Sequence, residues 1–291
     1  MTKTNFPVHT LDEGPDDVPF KVLRLNKPSA GTIAEAHRHN YYEILLFLKG
    51  GGSHMIDFDQ HKITGSSLHF VSPGQIHALQ REATAEGYVV IFSSDFMLMN
   101  LRDISILHEF PAFTKTADPV LKMNGEDFAE ALELIQKIES EFKKQNPHRD
   151  RIIASYIMIL LLKSLALLTQ TKEYKQNDAS SQELLQRFNV LLEQRFTDLH
   201  KVNEYAELLN VTPNHLSETL KKISGKTAGD LIHQRLILEA KRMLLHSNIS
   251  AKEVSYALNF NDPSYFSRFF KTNTGMSPEA FRKDIRERYR H

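Results

Sequence analysis

The sequence predicts two domains of different class: an N-terminal all-β barrel or sandwich with flanking helices, and a C-terminal all-α domain. Three observations carry this. Apolar residues fall in short strand-like runs up to Phe92 and take a helical period after Gly125. A polar stretch, 171–181, reads as a linker between the halves. The segment beyond it repeats itself. At 291 residues the chain suits two domains better than one. We therefore expect a first domain over 1–170, with its barrel at about 18–92 and helices at about 125–169, and a second over 182–291.

Composition narrows the class. With 41% hydrophobic and 25% charged residues, the chain is far from the composition of disordered proteins. It has no Cys, which excludes disulfide scaffolds, thiolate zinc sites, iron–sulfur clusters and cysteine nucleophiles. Met1 to Gly14 lacks the basic and apolar regions of a signal peptide, so the expected location is the cytoplasm. Ile152 to Leu168 is almost wholly apolar, yet it is short for a membrane span and carries Lys163, Ser155 and Ser164. A helix buried in protein is expected there, with no membrane partner. Net charge is zero overall, but residues 182–291 hold 17 Lys/Arg against 13 Asp/Glu, a small excess that suits a polyanion.

In the first domain, Ile44–Leu48, Leu68–Val71 and Val89–Phe92 read as strands. Turn signals at Lys49 to Gly52, Thr64-Gly65, Pro73-Gly74 and Glu86-Gly87 separate them. Phe128, Leu132, Ile135, Ile138 and Phe142 then mark one helix face, stopped by Asn146-Pro147. A second, apolar helix follows to Thr169 and needs more than one neighbour to cover it.

In the second domain, Leu216 to Lys221 aligns with Phe266 to Lys271 at an offset of 50, and Gly225 aligns with Gly275. Upstream, Ala206, Leu209 and Asn210 align with Ser255, Leu258 and Asn259 at an offset of 49, so the second copy has one more turn residue. Asn tolerates the left-handed conformation at a helix end, and Thr212 and Asp262 can cap the helix that follows. Helix, tight turn, helix is the geometry that places a second helix in the major groove. Leu216, Leu220 and Ile223 are expected inside, as are Phe266, Phe269 and Phe270. Asn214, Ser217, Glu218 and Lys221 face out in the first copy; Ser264, Ser267, Arg268 and Lys271 do so in the second. These side chains can reach base edges and phosphates. The helix between, Ala228 to His246, spans roughly 28 Å, close to the ~34 Å between successive major grooves.

The chain resembles the AraC/XylS family of transcription regulators. The resemblance rests on Arg235, Ala240 to Leu245, Ile249, Val254, the run Phe260 to Lys271, Gly275, Ser277-Pro278 and Phe281-Arg282. It implies that the outward residues contact bases and that Lys221 and Lys271 lie near phosphates. This chain has Asn259 where the family commonly has Gly, and Glu218 where many members have a basic residue.

The first domain carries Gly31, His37, His39, Glu43 and Gly50, then Gly65, Pro73-Gly74 and His77. This spacing resembles the first cupin motif and part of the second, and it implies a cupin-like effector-sensing barrel. On a strand, i and i+2 share a face, so His37, His39, Glu43 and His77 can converge inside it. Three His and a carboxylate suit Mn, Fe, Ni or Zn. No cofactor is required, and a divalent metal in the barrel is an open reading beside an organic effector pocket and a purely structural role. His54, His61 and His69 are expected to be surface or sheet histidines.

The resemblance further implies double-stranded promoter or operator DNA, a small-molecule effector such as a sugar or other metabolite, a homodimer and RNA polymerase as partners. The function it implies is an effector-responsive, sequence-specific regulator and not an enzyme. The alternatives are a metal-dependent cupin enzyme fused to a DNA-binding tail, and an architectural DNA-binding protein whose barrel only dimerises.

Overall fold

Tyr42–Lys49 is apolar on both faces because both faces are covered. It is strand β4 of the computed structural model, which describes residues 7–9, 20–25, 35–57, 59–101, 104, 106–113, 117–170, 179–246 and 249–288. Gly31 lies outside these residues. The chain divides into two units, 1–175 and 176–291.

Around β4 the first unit arranges β1 (Val8–His9), β2 (Phe20–Leu25), β3 (Arg38–His39), β5 (Gly52–Ile56), β6 (Asp59–Lys62), β7 (Ser67–Val71), β8 (His77–Arg81), β9 (Glu86–Phe92) and β10 (Val120–Lys122). One antiparallel sheet runs β10-β7-β4-β9-β2, a second runs β6-β5-β8, and β1 pairs in parallel with β3. Leu45, Phe47, Val71, Val89 and Ile91 of the large sheet form one buried cluster with Ile56 and Ile63. Leu45 lies opposite His69 and Val89, and Glu43 lies opposite Val71 and Ile91. Side-chain alternation therefore puts Glu43 and His69 on the same inner face as Leu45. Gly52 admits no other residue: its φ is +95°, and a Cβ there would lie 2.0 Å from the Gln80 carbonyl oxygen.

The opposite face of the large sheet meets helices. These are α1 (Ser94–Asn100), α2 (Ile106–Glu109), α3 (Gly125–Phe142) and α4 (Arg149–Leu168). Phe20 stacks on Phe96 and meets Phe142 edge-on, while Phe70 meets Phe110 and Tyr42 meets Phe113. Helix α4 is long and apolar enough to cross a membrane, but it buries Ile153, Ala154, Ile157, Leu160, Leu161 and Leu168 within this unit, packed on α3, α1 and α2. Ile159 and Leu162 stay exposed.

Two features of this unit depart from the sequence expectation. Strand β10 lies beyond the expected barrel segment; three residues with one buried side chain, Leu121, are too few to show alternation. Helices α1 and α2 are likewise short, and α1 owes its start to Ser93, whose hydroxyl accepts from the Phe96 amide.

The second unit is helical: α5 (Ala179–Arg195), α6 (Val202–Leu208), α7 (Pro213–Ser224), α8 (Ala228–His246), α9 (Ala251–Ala257), α10 (Pro263–Thr274) and α11 (Pro278–Arg288). Leu184, Phe188 and Leu192 of α5 are buried at four-residue spacing, with Phe188 against Tyr205. Of the expected linker 171–181, residues 171–178 lie outside the described set and 179–181 are already helical. The first turn of α5 is polar at Ser180 and Ser181, so it carries no apolar signal of its helix.

Candidate functional sites

The two helix-turn-helix units share their backbone hydrogen bonds. Helix α6 ends with the Val211 amide donating to Ala206 O and the Asn210 amide to Glu207 O. Helix α9 ends with Phe260 donating to Ser255 O and Asn259 to Tyr256 O. Both are Schellman closures, and Asn210 and Asn259 take the required left-handed φ of 57° and 55°. Ala206 and Ser255 are small and buried at each crossing. Thr212 then caps α7 by accepting from the His215 amide, and Asp262 caps α10 by accepting from Ser264. Each second helix stops at a left-handed glycine, Gly225 or Gly275.

Leu216, Leu220, Phe266 and Phe270 are fully buried. Ile223 and Phe269 are only half-buried, unlike the sequence expectation. Ile223 sits in the last turn of α7, and Phe269 lies on the flank of α10, its ring between Phe260 and His233. Asn214, Glu218, Lys221, Ser264, Arg268 and Lys271 are exposed, and Ser217 and Ser267 are half-buried beside them. The Asn214 amide donates to Glu218 Oε1 at 3.1 Å, so that carboxylate is held along its own helix. Arg235 anchors α8 to α5: it bonds Glu193 at 2.8 Å, pairs with Glu239 and lies 3.7 Å over the Phe196 ring. Arg282 bonds the carbonyls of Leu244 and Ile249 and so fixes the C-terminal end of α8.

In the barrel, the turn before β8 sets the geometry. Gly74 has φ +81° and donates its amide to His39 O. Gln75 accepts from the Ser72 amide and hydroxyl and donates to Asp57. His37 and His77 exchange backbone hydrogen bonds. Beta-strands β3, β4 and β8 thus deliver His39, Glu43 and His77 to one point, with all three donor atoms within 4.8 Å of one another. Glu43 Oε2 lies 3.6 Å from His39 Nε2 and 3.7 Å from His77 Nε2. His37 is adjacent, its ring 4.3 Å from that of His77, but outside that donor group. Burial pushes the Glu43 carboxyl up, yet the neighbouring His39, His77 and His37 bring it net below the ordinary value.

Carbonyl oxygens only accept, so His39 Nδ1 donates to Tyr41 O at 2.8 Å and His37 Nδ1 donates to Glu35 O at 2.9 Å. His39 Nε2 and Glu43 Oε2 are both buried without a hydrogen-bond partner among the described residues.

His54 and His69 are sheet histidines, one of the two expected alternatives, and neither is at the surface. Both lie on strands, but both side chains are fully buried in the barrel. His54 Nδ1 lies 3.1 Å from His69 Nδ1, and His54 Nε2 lies 3.2 Å from His77 Nδ1. Burial, then neighbouring histidines, hold His54 well below the ordinary imidazole range, and His69 falls to about 3. Strand β7 is buried at every position, so its sequence has no alternation from which to read the direction of His69. His61 is partly covered, with Nδ1 3.6 Å from Asp118.

A family model described as an AraC-like ligand binding domain matches residues 23–189, and one described as a helix-turn-helix domain matches 205–284. The chain is 22% identical over 250 residues to the HTH-type transcriptional activator RhaR of Escherichia coli (strain K12), across 84% of this chain and 86% of that protein. Among solved structures, ToxT from Vibrio cholerae O395 is 14% identical and covers 91% of this chain and 97% of its own, with a TM-score of 0.39. The C-terminal domain of AraT, a response regulator from Geobacillus stearothermophilus, is 27% identical and covers 35% and 84%, with a TM-score of 0.33.

Proposed function

We propose that this chain, which belongs to the AraC family of transcriptional regulators, reads duplex DNA with α7 and α10 and tunes that reading through a ligand held at His37, His39, Glu43 and His77. As a member of that family it is a DNA-binding regulator with a ligand-binding domain, and not an enzyme. Acting on DNA, it works in the cytoplasm.

The observation that carries the DNA reading is the pair of matching Schellman turns, each presenting an exposed polar helix face backed by a buried apolar one. Arg268 can make a bidentate contact to guanine, while Lys221 and Lys271 suit phosphates. Ser217, Ser264, Ser267 and Asn214 are short donors and acceptors for base edges or backbone. Glu218, held by Asn214, can accept only from an amino group such as that of cytosine. Ligand occupancy acts by population shift, to the extent that the ligand binds the DNA-competent state better. The exposed Ile159 and Leu162 on α4 support a homodimer through that helix.

Selection of duplexes from a random library by the full chain tests this. A recovered consensus of two or more elements, one per reading helix, is the expected result. Recovery of no enriched sequence would overturn it.

A further inference from the structure

We infer that the helical unit carries a ligand site of its own: a cleft at the junction of its two helix-turn-helix copies that takes a zwitterionic aromatic molecule, of the class of an aromatic amino acid, and whose occupancy changes duplex affinity. The site lies outside the barrel, and only its effect on duplex affinity rests on the regulator reading.

The walls are the first argument. The cleft holds about 420 Å³, within the usual range for small-molecule sites. The turn before α6 supplies His200 and Lys201, α8 supplies His233 and Leu236, and the second copy supplies the rest of the lining. Phe260 and Leu236 are buried and close the floor. The Phe260 ring stands 4.8 Å from His200, 5.3 Å from Phe269 and 6.1 Å from Tyr265, and His233 meets Phe269 edge-on at 5.2 Å. Tyr265 is 57% exposed and Phe269 is only half-buried, so two rings line the cleft without full cover. The helix-turn-helix does not need them. At the offsets of 49 and 50, the first copy has Val211, His215 and Thr219 in place of Phe260, Tyr265 and Phe269, and it closes the same turn. The rings of the second copy offer faces and edges to a flat ligand ring.

Charge is the second argument. Lys201 is the only lysine or arginine in the lining, and Asp262 is the only carboxylate. Burial holds His200 below the ordinary imidazole range, so it adds no charge at neutral pH. Asp262 Oδ1 accepts from the Ser264 amide, which leaves its other oxygen for a ligand donor. A ligand with one carboxylate and one ammonium matches Lys201 and Asp262 together, through charge-assisted hydrogen bonds and with no net charge left over. The two residues also belong to different copies. Lys201 precedes the first helix of one, and Asp262 caps the reading helix of the other. A ligand held by both favours one spacing of the reading helices over others.

The chain has no Trp, so the emission of L-tryptophan reports its own binding to the full chain. The comparisons are tryptamine, which lacks the carboxylate, indole-3-propionate, which lacks the ammonium, and L-leucine, which lacks the ring. We expect one L-tryptophan per chain, tryptamine and indole-3-propionate each weaker by about 10–100-fold, and no displacement by L-leucine. Lys201→Gln should weaken L-tryptophan by about 10-fold or more and leave tryptamine unchanged. Asp262→Asn, which can still cap α10, should weaken L-tryptophan and leave indole-3-propionate unchanged. Tyr265→Ala should weaken all three indoles. Thermal unfolding checks that each variant is folded. Saturating L-tryptophan should change affinity for the selected duplex by at least about 5-fold. A folded chain that does not bind L-tryptophan, or binds it equally in all three variants, overturns the site. Equal affinity for L-tryptophan, tryptamine and indole-3-propionate in the unaltered chain overturns it without any variant. Binding that leaves duplex affinity unchanged overturns the coupling to DNA, with the regulator reading still standing. Binding by a chain that selects no duplex overturns the regulator reading and leaves the cleft as a ligand site.

Discussion

The two units keep their polar chemistry in opposite places. The barrel turns His39, His54, His69, His77 and Glu43 inward among Leu45, Phe47 and Val71. The helical unit buries Phe266, Phe270, Leu216 and Leu220 and leaves Arg268, Lys271 and Lys221 outside. The difference teaches where each unit is sensitive. Protons and ligands act on the stability of the first. Substitutions on the reading faces of the second should change binding and leave folding alone.

The largest effect is expected inside the helical unit. Phe270 is fully buried and packs against Phe266 and Phe281. Phe270→Ala should cost about 3–5 kcal/mol of stability in denaturant unfolding of residues 176–291. A cost below 1 kcal/mol would mean that the aromatic cluster does not hold α10 in place. On the outer face, Arg268→Ala should leave that unfolding curve unchanged and weaken selected-duplex binding by about 1–3 kcal/mol. A loss of stability instead of affinity would break the contrast between the units.

The barrel should respond to acid through His69. Its folded value of about 3 lies below the 6.5 of an ordinary imidazole, so between those limits the unfolded chain holds the extra proton. The contribution is whole above pH 6.5 and is lost as pH falls toward 3, at up to about 1.4 kcal/mol per pH unit. Equilibrium unfolding of the protein from pH 7.5 to 5 should show this slope, and His69→Phe should reduce it. An unchanged slope in His69→Phe would place the acid sensitivity elsewhere. The smallest effect is at the turns: Asn210→Ala should cost about 1 kcal/mol, and Asn210→Gly should cost little, because only the left-handed φ is at stake. Equal costs in the two variants would show that the Asn side chain, rather than its backbone, is what the turn requires.

The same contrast explains what could be read from the sequence. The helix-turn-helix pair was legible because its signals are local: Asn210, Thr212 and Gly225 each act within a few residues, and the second copy repeats them. His39, Glu43 and His77 were legible as a motif with fixed spacing. His54 and His69 were not, because the side of the sheet they face depends on register, and β7 is buried on both sides. Strand β10 and helices α1 and α2 are too short to show a period. The first turn of α5 is too polar to show that it is helical.

The central claim is that the exposed faces of α7 and α10 read sequence. The most direct measurement is binding of the full chain to its selected duplex and to a scrambled one of equal length, over a salt series. The account predicts that the selected duplex binds at least about 10³-fold more tightly at physiological salt. Lys271→Ala should weaken both duplexes together and lower the salt slope by about one. Equal affinity for the two duplexes, with Lys271→Ala changing neither, would contradict it.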